Sequence, residues 1–382
     1  MSSWNIPLSD LDYGPEEEAA VLRVLRSKWL SMGPEVQAFE GEFANMVGAK
    51  HAYAVSSATA GLHLALLGLG LGTGDEIIQP AVNFVATANM TVATGATPVF
   101  ADICSLAEPT IDPERVARLI TPRTKAVVVM HYGGYLGRMT ELQELCQKHG
   151  LALIEDACHA VGATYRDPNQ RGPHGLKAGN IGDISAFSFF SNKNIATGEG
   201  GMVTTNRDDV VERLRLLRSH GMTSLTWDRH KGHASSYEVV VHGYNYRLDE
   251  LHAALGRSQL AKLAQNNARR KMVAAAYHHK LRGLPGWILP YAGSTADSAH
   301  HLMVAVAPDR QAREAMATHL REAGIQTSLH YPCIVDFGAF ASARSDELTY
   351  SREFCHRVMT LPLYPSLSEG QVSIVCDRIL NR

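Results

Sequence analysis

The run Ala126-Val-Val-Val-Met130, the segment Thr140-Glu-Leu-Gln-Glu-Leu-Cys-Gln-Lys-His149 and the run Leu151-Ala-Leu-Ile154 decide the fold. Neither apolar run alternates with polar residues, so each reads as a strand buried on both faces. The helical pattern between them supplies the crossover of a parallel pair. Working outward, Ala52–Val55, Glu76–Gln79 and Pro98–Ala101 are short runs of the same kind, and Ala60–Leu69 reads as a helix. Ile184–Phe190 and Met202–Thr205 add further strands. The prediction is an α/β protein with a mostly parallel central sheet flanked by helices. Before it, Pro15 and Glu16-Glu17-Glu18 start a helix, with acidic groups at the positive end of the dipole and an apolar face at Ala19, Val21, Leu22 and Leu25. After it, the helical tract Leu248–Leu281 breaks the rhythm. Ala299–Ala307 and Gln326–His330 then read as strands, and Gln311–Ala323 and Glu369–Leu380 as helices. This divides the chain into a large α/β domain at 15–250 and a smaller C-terminal α+β domain at 251–382, joined by 1–14.

Composition narrows the function. The 382 residues are 45% hydrophobic and 19% charged, enough to bury a large core, and 36 basic residues against 38 acidic ones leave a net charge of -2. No dominant basic face is available for nucleic acid or an anionic membrane. The N-terminus has neither a basic region nor an apolar core of a secretory signal. Ala60–Gly72, the longest apolar stretch, is interrupted by His63 and falls short of the roughly 20 residues that span a bilayer. Six cysteines lack any C-x-x-C spacing, and scattered thiols of this kind read as buried and reduced. The expectation is a soluble cytoplasmic protein. The pairs His278-His279 and His300-His301 make poor chelates, because adjacent residues on a helix diverge by a quarter turn or more. They read as solvent-facing, and no metal site is expected.

Ligands of open parallel sheets bind at the carboxyl ends of the strands, and four such places carry unusual residues. Ser56-Ser57-Ala58-Thr59 places small hydroxyl residues at a helix N-terminus, where they serve as a plain N-cap or as a phosphate site. Glu155-Asp156 ends a strand whose successive side chains face opposite sides, so at most one carboxylate enters a given pocket. Surface exposure is the simpler reading of the pair, and a cationic partner would be needed for a buried one. Phe187-Ser-Phe-Phe-Ser-Asn-Lys193 precedes Gly198-Glu-Gly-Gly201. That lysine is either solvated in a glycine-rich hairpin or an imine-forming nucleophile. Gly243-Tyr-Asn-Tyr-Arg-Leu-Asp-Glu250 opens a helix and offers an amide and a guanidinium to an anion. A phosphate cradle, a strand-end Asp and a nucleophilic Lys in this order match what pyridoxal 5'-phosphate requires of a protein.

With these motifs, and with Gly72-Thr-Gly-Asp-Glu76, Phe187-Ser-Phe189 and Gly324-Ile-Gln-Thr327, the chain resembles the DegT/DnrJ/EryC1/StrS sugar aminotransferases of fold type I, nearly end to end. The resemblance implies pyridoxal 5'-phosphate as cofactor, joined covalently to Lys193, which also moves the proton during transfer. It implies that Asp156 pairs with the pyridine nitrogen. Ser57, Ala58 and Thr59, with Ser188, would hold the phosphate. Phe84 matches the aromatic that stacks on the ring, its alternative being core packing. His159 would lie near the ring hydroxyl, its alternative being a satisfied structural histidine. Asn245 matches the residue that reaches the phosphate from the neighbouring subunit, which implies a homodimer with composite active sites. Two residues depart from the family pattern: Ala58 stands for the usual Gly, and Cys158-His159 for a common Ala-Gln.

The implied reaction is ping-pong transfer from L-glutamate to a nucleotide-linked keto-sugar, with C4 of a dTDP-4-keto-6-deoxyhexose favoured. A C3 keto-sugar or a keto-cyclitol (inosose) is the alternative acceptor. Arg247, His330 and Tyr331 are the candidate substrate contacts. A dehydratase of the same fold would carry histidine at position 193, and a regulator would carry a basic helix-turn-helix; neither fits the residues present.

Overall fold

The computed structural model describes residues 4–167, 169–224, 227, 232, 236–294 and 296–381. The chain begins with α1 (Pro15–Ser27), α2 (Pro34–Val47), β1 (His51–Val55), α3 (Ala58–Gly68), β2 (Glu76–Pro80), α4 (Ala86–Ala93) and β3 (Thr97–Ala101). It continues with α5 (Pro113–Leu119), β4 (Thr124–Met130), α6 (Met139–His149), β5 (Ala152–Asp156), β6 (Ile184–Ser188), β7 (Gly201–Thr205) and α7 (Asp208–Arg218). The last third holds α8 (Glu250–Lys280), β8 (Met303–Val306), α9 (Arg310–Glu322), α10 (Thr349–Arg357), β9 (Val358–Leu361) and α11 (Glu369–Leu380).

Seven strands form one sheet in the order β1-β7-β6-β5-β4-β2-β3. β4, β5 and β6 run parallel, with Val128 opposite Ile154 and Ile154 opposite Ile184. Their side chains are buried on both faces, which is why these runs show no polar alternation. β7 alone runs antiparallel, paired with both β1 and β6; the glycine-rich link from β6, with no crossover helix, is the sequence's one sign of that direction. One face packs Phe39, Phe43, Phe187 and Phe189, and the other packs Leu64, Leu66, Ile77 and Leu214.

The C-terminal part is built around an antiparallel β8–β9 pair, with Tyr277, Leu320, Ile325, Leu361 and Val372 in its core. Ile6 joins that core and pairs with Ile325. The helix α8 serves both regions: Leu263 lies in the core with Phe39, and Val273 in the core with Leu361.

Three expectations need correction. Gln326–His330 is not a strand; Ser328 makes a single isolated bridge to Thr360, and the partner of β8 is Val358–Leu361 instead. The apolar face expected on α1 does not face inward. Its buried residues are Glu17, Ala20 and Val24, and Leu22 and Leu25 are 46% and 49% exposed. The inward face was masked because Glu17 is buried as an ion pair with Lys262 at 2.8 Å. His300 and His301 are buried rather than solvent-facing. They are not helical: Ala299 N and His301 N donate to Gly134 O and Gly133 O at 3.1 and 2.9 Å, which draws the segment inside.

Candidate active site

A cavity of about 400 Å³ opens at the carboxyl edge of the sheet. Ser57, Ala58, Thr59, Phe84, Asp156, His159, Ser188, Lys193, His330 and Tyr331 all line it. Ten residues singled out from the sequence therefore share one chamber in a single chain. Asn245 and Arg247 do not line it. Asn245 is exposed and pairs through its backbone with Ser219. Arg247 bridges to Val55, and its buried Nη1 has no hydrogen-bond partner among the described residues.

The end of β5 settles the two adjacent carboxylates. Both are buried, against the exposed reading. Alternation along the strand sends them to opposite sides. Glu155 Oε1 accepts from Ile181 N, Gly182 N and Ser185 Oγ at 2.9, 2.7 and 3.0 Å. Its Oε2 accepts from Gly179 N at 3.0 Å and meets His131 Nε2 at 2.9 Å. Burial alone would raise this carboxyl; His131 and the Gly182 and Gly179 amides more than offset it and hold it below the ordinary carboxylate value. Glu155 anchors a loop.

Asp156 faces the cavity. Its Oδ2 accepts from Asn83 Nδ2 and Thr87 Oγ1, both at 3.2 Å, and its Oδ1 from Cys158 N at 3.3 Å. Every one of these partners is neutral. A carboxyl group only 4% exposed, with no cation hydrogen-bonded to it among the described residues, suits a cationic ring nitrogen.

Lys193 follows the β6 edge, and its Nζ lies 3.4 Å from His301 Nε2. Burial lowers its pKa, and the nearby Cys158 and Asp156 only partly oppose that. A larger neutral fraction makes the amine a better nucleophile. Three histidines crowd the same space. His159 is held well below the ordinary imidazole value by burial, then by Lys193 and His330. His330 is pushed down to about 4 by burial and Lys193. His159 Nε2 meets Tyr331 Oη at 2.9 Å, and its Nδ1 accepts from Gly133 N at 3.4 Å. His330 Nδ1 meets Thr360 Oγ1 at 2.9 Å.

The N-terminus of α3 forms the opposite wall. Ser57 caps it, accepting from Ala60 N at 3.1 Å, while Ala58 and Thr59 as first helical residues have no intrahelical acceptor for their N–H groups. Gly201 makes this approach possible. A Cβ there would lie 2.7 Å from the Ser57 carbonyl carbon and 2.8 Å from Ala58 N, so β7 could not run this close to the helix with any other residue. Phe84 presents a ring 56% exposed, which excludes core packing, and it leans on Tyr331 at 5.9 Å between centroids. Free helix N–H groups, an exposed aromatic face, a buried carboxylate lacking a cation and a desolvated lysine together fit a phosphorylated pyridine aldehyde.

Asn83, Thr87, His131, Asn194 and His301 support this site and were not foreseen. Asn83 adjoins Phe84, a signal that was available. Thr87, three residues after Phe84, and Asn194, directly after Lys193, offered the same signal; His131 and His301 approach from elements remote in sequence and carried none. No helix among the described residues is long and apolar enough to cross a membrane.

Residues 12–380 match the family model described as the DegT/DnrJ/EryC1/StrS aminotransferase family. The chain is 42% identical over 378 residues to the spore coat polysaccharide biosynthesis protein SpsC of Bacillus subtilis (strain 168), covering 96% of this chain and 94% of that one. Among solved structures it resembles DesV of S. venezuelae, described in complex with a ketimine intermediate, at 37% identity and a TM-score of 0.86, covering 96% of this chain and 94% of the other. It also resembles PseC of Helicobacter pylori, an aminotransferase involved in the biosynthesis of pseudoaminic acid, at 31% identity and a TM-score of 0.90, with 98% of each chain covered.

Proposed function

The chain belongs to the DegT/DnrJ/EryC1/StrS aminotransferase family, and we propose that it moves the amino group of L-glutamate onto a nucleotide-linked keto-sugar, using pyridoxal 5'-phosphate held in the cavity. The favoured acceptor position is C4 of a dTDP-4-keto-6-deoxyhexose, in the cytoplasm. The observation that carries this reading is the meeting of Lys193, Asp156 and the α3 N-terminus in one chamber.

When bound, the cofactor supplies an aldehyde that captures amines and a ring that takes up the electrons left when a proton departs. The protein's own residues do the rest. Ser57, Ala58, Thr59 and Ser188 bind the phosphate, whose charge the helix N-terminus favours. Phe84 covers one ring face. Asp156, fixed by Asn83 and Thr87, would hold the ring nitrogen by a charge-assisted hydrogen bond. Lys193 would hold the cofactor through its amine and would move the proton during transfer. His159 stays neutral and, bonded to Tyr331, sits beside the ring hydroxyl. His330 uses one nitrogen on Thr360, which leaves the other for substrate; Tyr331 is placed with it.

The functional unit in this reading is a homodimer with composite sites. Asn245 is exposed and outside its own cavity wall, as a residue serving a neighbour's phosphate would be. Arg247, two residues on, is half-buried and stays a candidate substrate contact in this reading. Leu22, Leu25, Val239 and Val240 are between 46% and 53% exposed and give such a pair apolar surface to bury.

The test begins with purified protein and added pyridoxal phosphate. A visible absorbance band is expected, bleached by L-glutamate and missing in Lys193→Ala. The pyridoxamine form is then offered a panel of 4-keto and 3-keto sugar nucleotides and an inosose, and return of the band identifies the acceptor. No band, or a band indifferent to amino donors, overturns the reading. Turnover of the inosose alone moves the chain to the cyclitol branch.

A further inference from the structure

A line of amides decides which way protons run beside Lys193. Asn267 donates from Nδ2 to Val161 O at 2.9 Å, so its Oδ1 is the atom that receives Asn194 Nδ2, at 2.8 Å. The other hydrogen of that Nδ2 goes to Ala299 O, also at 2.8 Å. Carbonyl oxygens cannot donate, so neither amide can be turned round. Asn194 Oδ1 is thereby left facing His301 Nδ1 at 3.0 Å. A neutral imidazole carries one proton, and it must sit on Nδ1. The Nε2 lone pair then points at Lys193 Nζ, 3.4 Å away. The ring stays neutral because burial, followed by His159, Lys193, Arg270 and His330, keeps its pKa well below the ordinary imidazole value. Cys158 and Asp156 act on the lysine in the opposite sense to burial, favouring its charged form.

We propose that His301 is a positioning residue for Lys193: its Nε2 accepts an N–H of the lysine amine and so keeps that nitrogen's lone pair turned away from the histidine whenever the amine is free. Asn194 and Asn267 fix the tautomer that makes this possible. The inference rests on Lys193 being the nucleophilic amine of the proposed function. It adds a device that returns the displaced lysine to one orientation, ready for recapture.

Two measurements test it. In wild-type protein labelled with ¹⁵N-histidine, with His301→Gln used for assignment, the two-bond ¹H–¹⁵N spectrum should show His301 protonated at Nδ1. An Nε2–H signal overturns the proposal whatever any variant does. In protein freed of cofactor, the pH profile of Lys193 acetylation and the rate of capture of added pyridoxal phosphate are compared across variants. His301→Phe keeps bulk and loses the acceptor. Its labelling midpoint should fall, because an acceptor favours the ammonium form, and capture, compared at equal neutral fraction, should slow about tenfold, the worth of one hydrogen bond. His301→Gln, whose amide oxygen accepts, should recover most of both. A His301→Phe protein with unchanged profile and capture rate overturns the proposal, and should that variant not fold, the tautomer decides alone. Wild-type protein that shows the Nδ1 tautomer but never captures pyridoxal phosphate defeats the parent reading instead.

Discussion

Replacing Glu155 by Gln should loosen the loop from Gly179 to Gly182 and cost roughly 3 kcal/mol, from one buried donor left without its acceptor and the charge assistance lost by the bonds that remain. The figure follows from four donors. With its oxygen in the place of Oε1, a glutamine keeps Ile181 N, Gly182 N and Ser185 Oγ. Its amide then confronts Gly179 N, a second donor, which loses its acceptor at about 1–3 kcal/mol. The remaining bonds lose charge assistance, about half their strength. At about 1.4 kcal/mol per tenfold, hydrogen exchange at Gly179 should accelerate about hundredfold, readable by mass spectrometry of the loop peptide. The pH dependence has a definite sign. The folded-state pKa of Glu155 is lowered, so its stabilisation is complete above the unfolded carboxyl value of about 4.3 and is lost as pH falls through the folded value. Urea midpoints of wild type and variant should therefore differ most at neutral pH and converge in acid. Equal exchange rates at pH 7, or a gap that does not narrow in acid, would refute the reasoning.

Asp156→Ala should lower turnover by about 10²-fold or more while leaving the fold intact, checked by steady-state kinetics beside circular dichroism. Phe84→Ala should weaken pyridoxal phosphate binding about tenfold with stability unchanged within about 0.5 kcal/mol, since the ring is 56% exposed; equilibrium dialysis and thermal melts read the two effects. Gly201→Ala should destabilise by about 1–3 kcal/mol through overpacking, because its Cβ meets the Ser57 and Ala58 backbone below 3 Å, and a wild-type melting temperature would show that β7 and α3 can move apart.

Much of this was legible because fully buried parallel strands leave uninterrupted apolar runs. Ala126–Met130 and Leu151–Ile154 are such runs, and the rules of open sheets then direct attention to Ser57, Asp156 and Lys193. What stayed hidden was set by partners far along the chain. His301 meets Lys193 across 108 positions, and a buried histidine pair looks the same in sequence as an exposed one. Leu22 and Leu25 mimic an inward face because apolar spacing reports a stripe, not which neighbour covers it. Gln326–His330 has strand-like composition, yet β8 found its partner at Val358–Leu361. The direction of β7 depends on the glycine-rich turn before it, which periodicity does not encode.

The last two residues of β5 share a backbone and part company at their side chains. Shift that strand by a single residue against β4 and β6, and the acid that grips the loop would be thrust into the chamber, while the acid beneath the ring would be swallowed by scaffold. Chemistry and architecture are thus tied to the same alignment. Segments such as His330–Tyr331 can drift to suit a different sugar, but the pairing of Met130 with Asp156 has no such freedom.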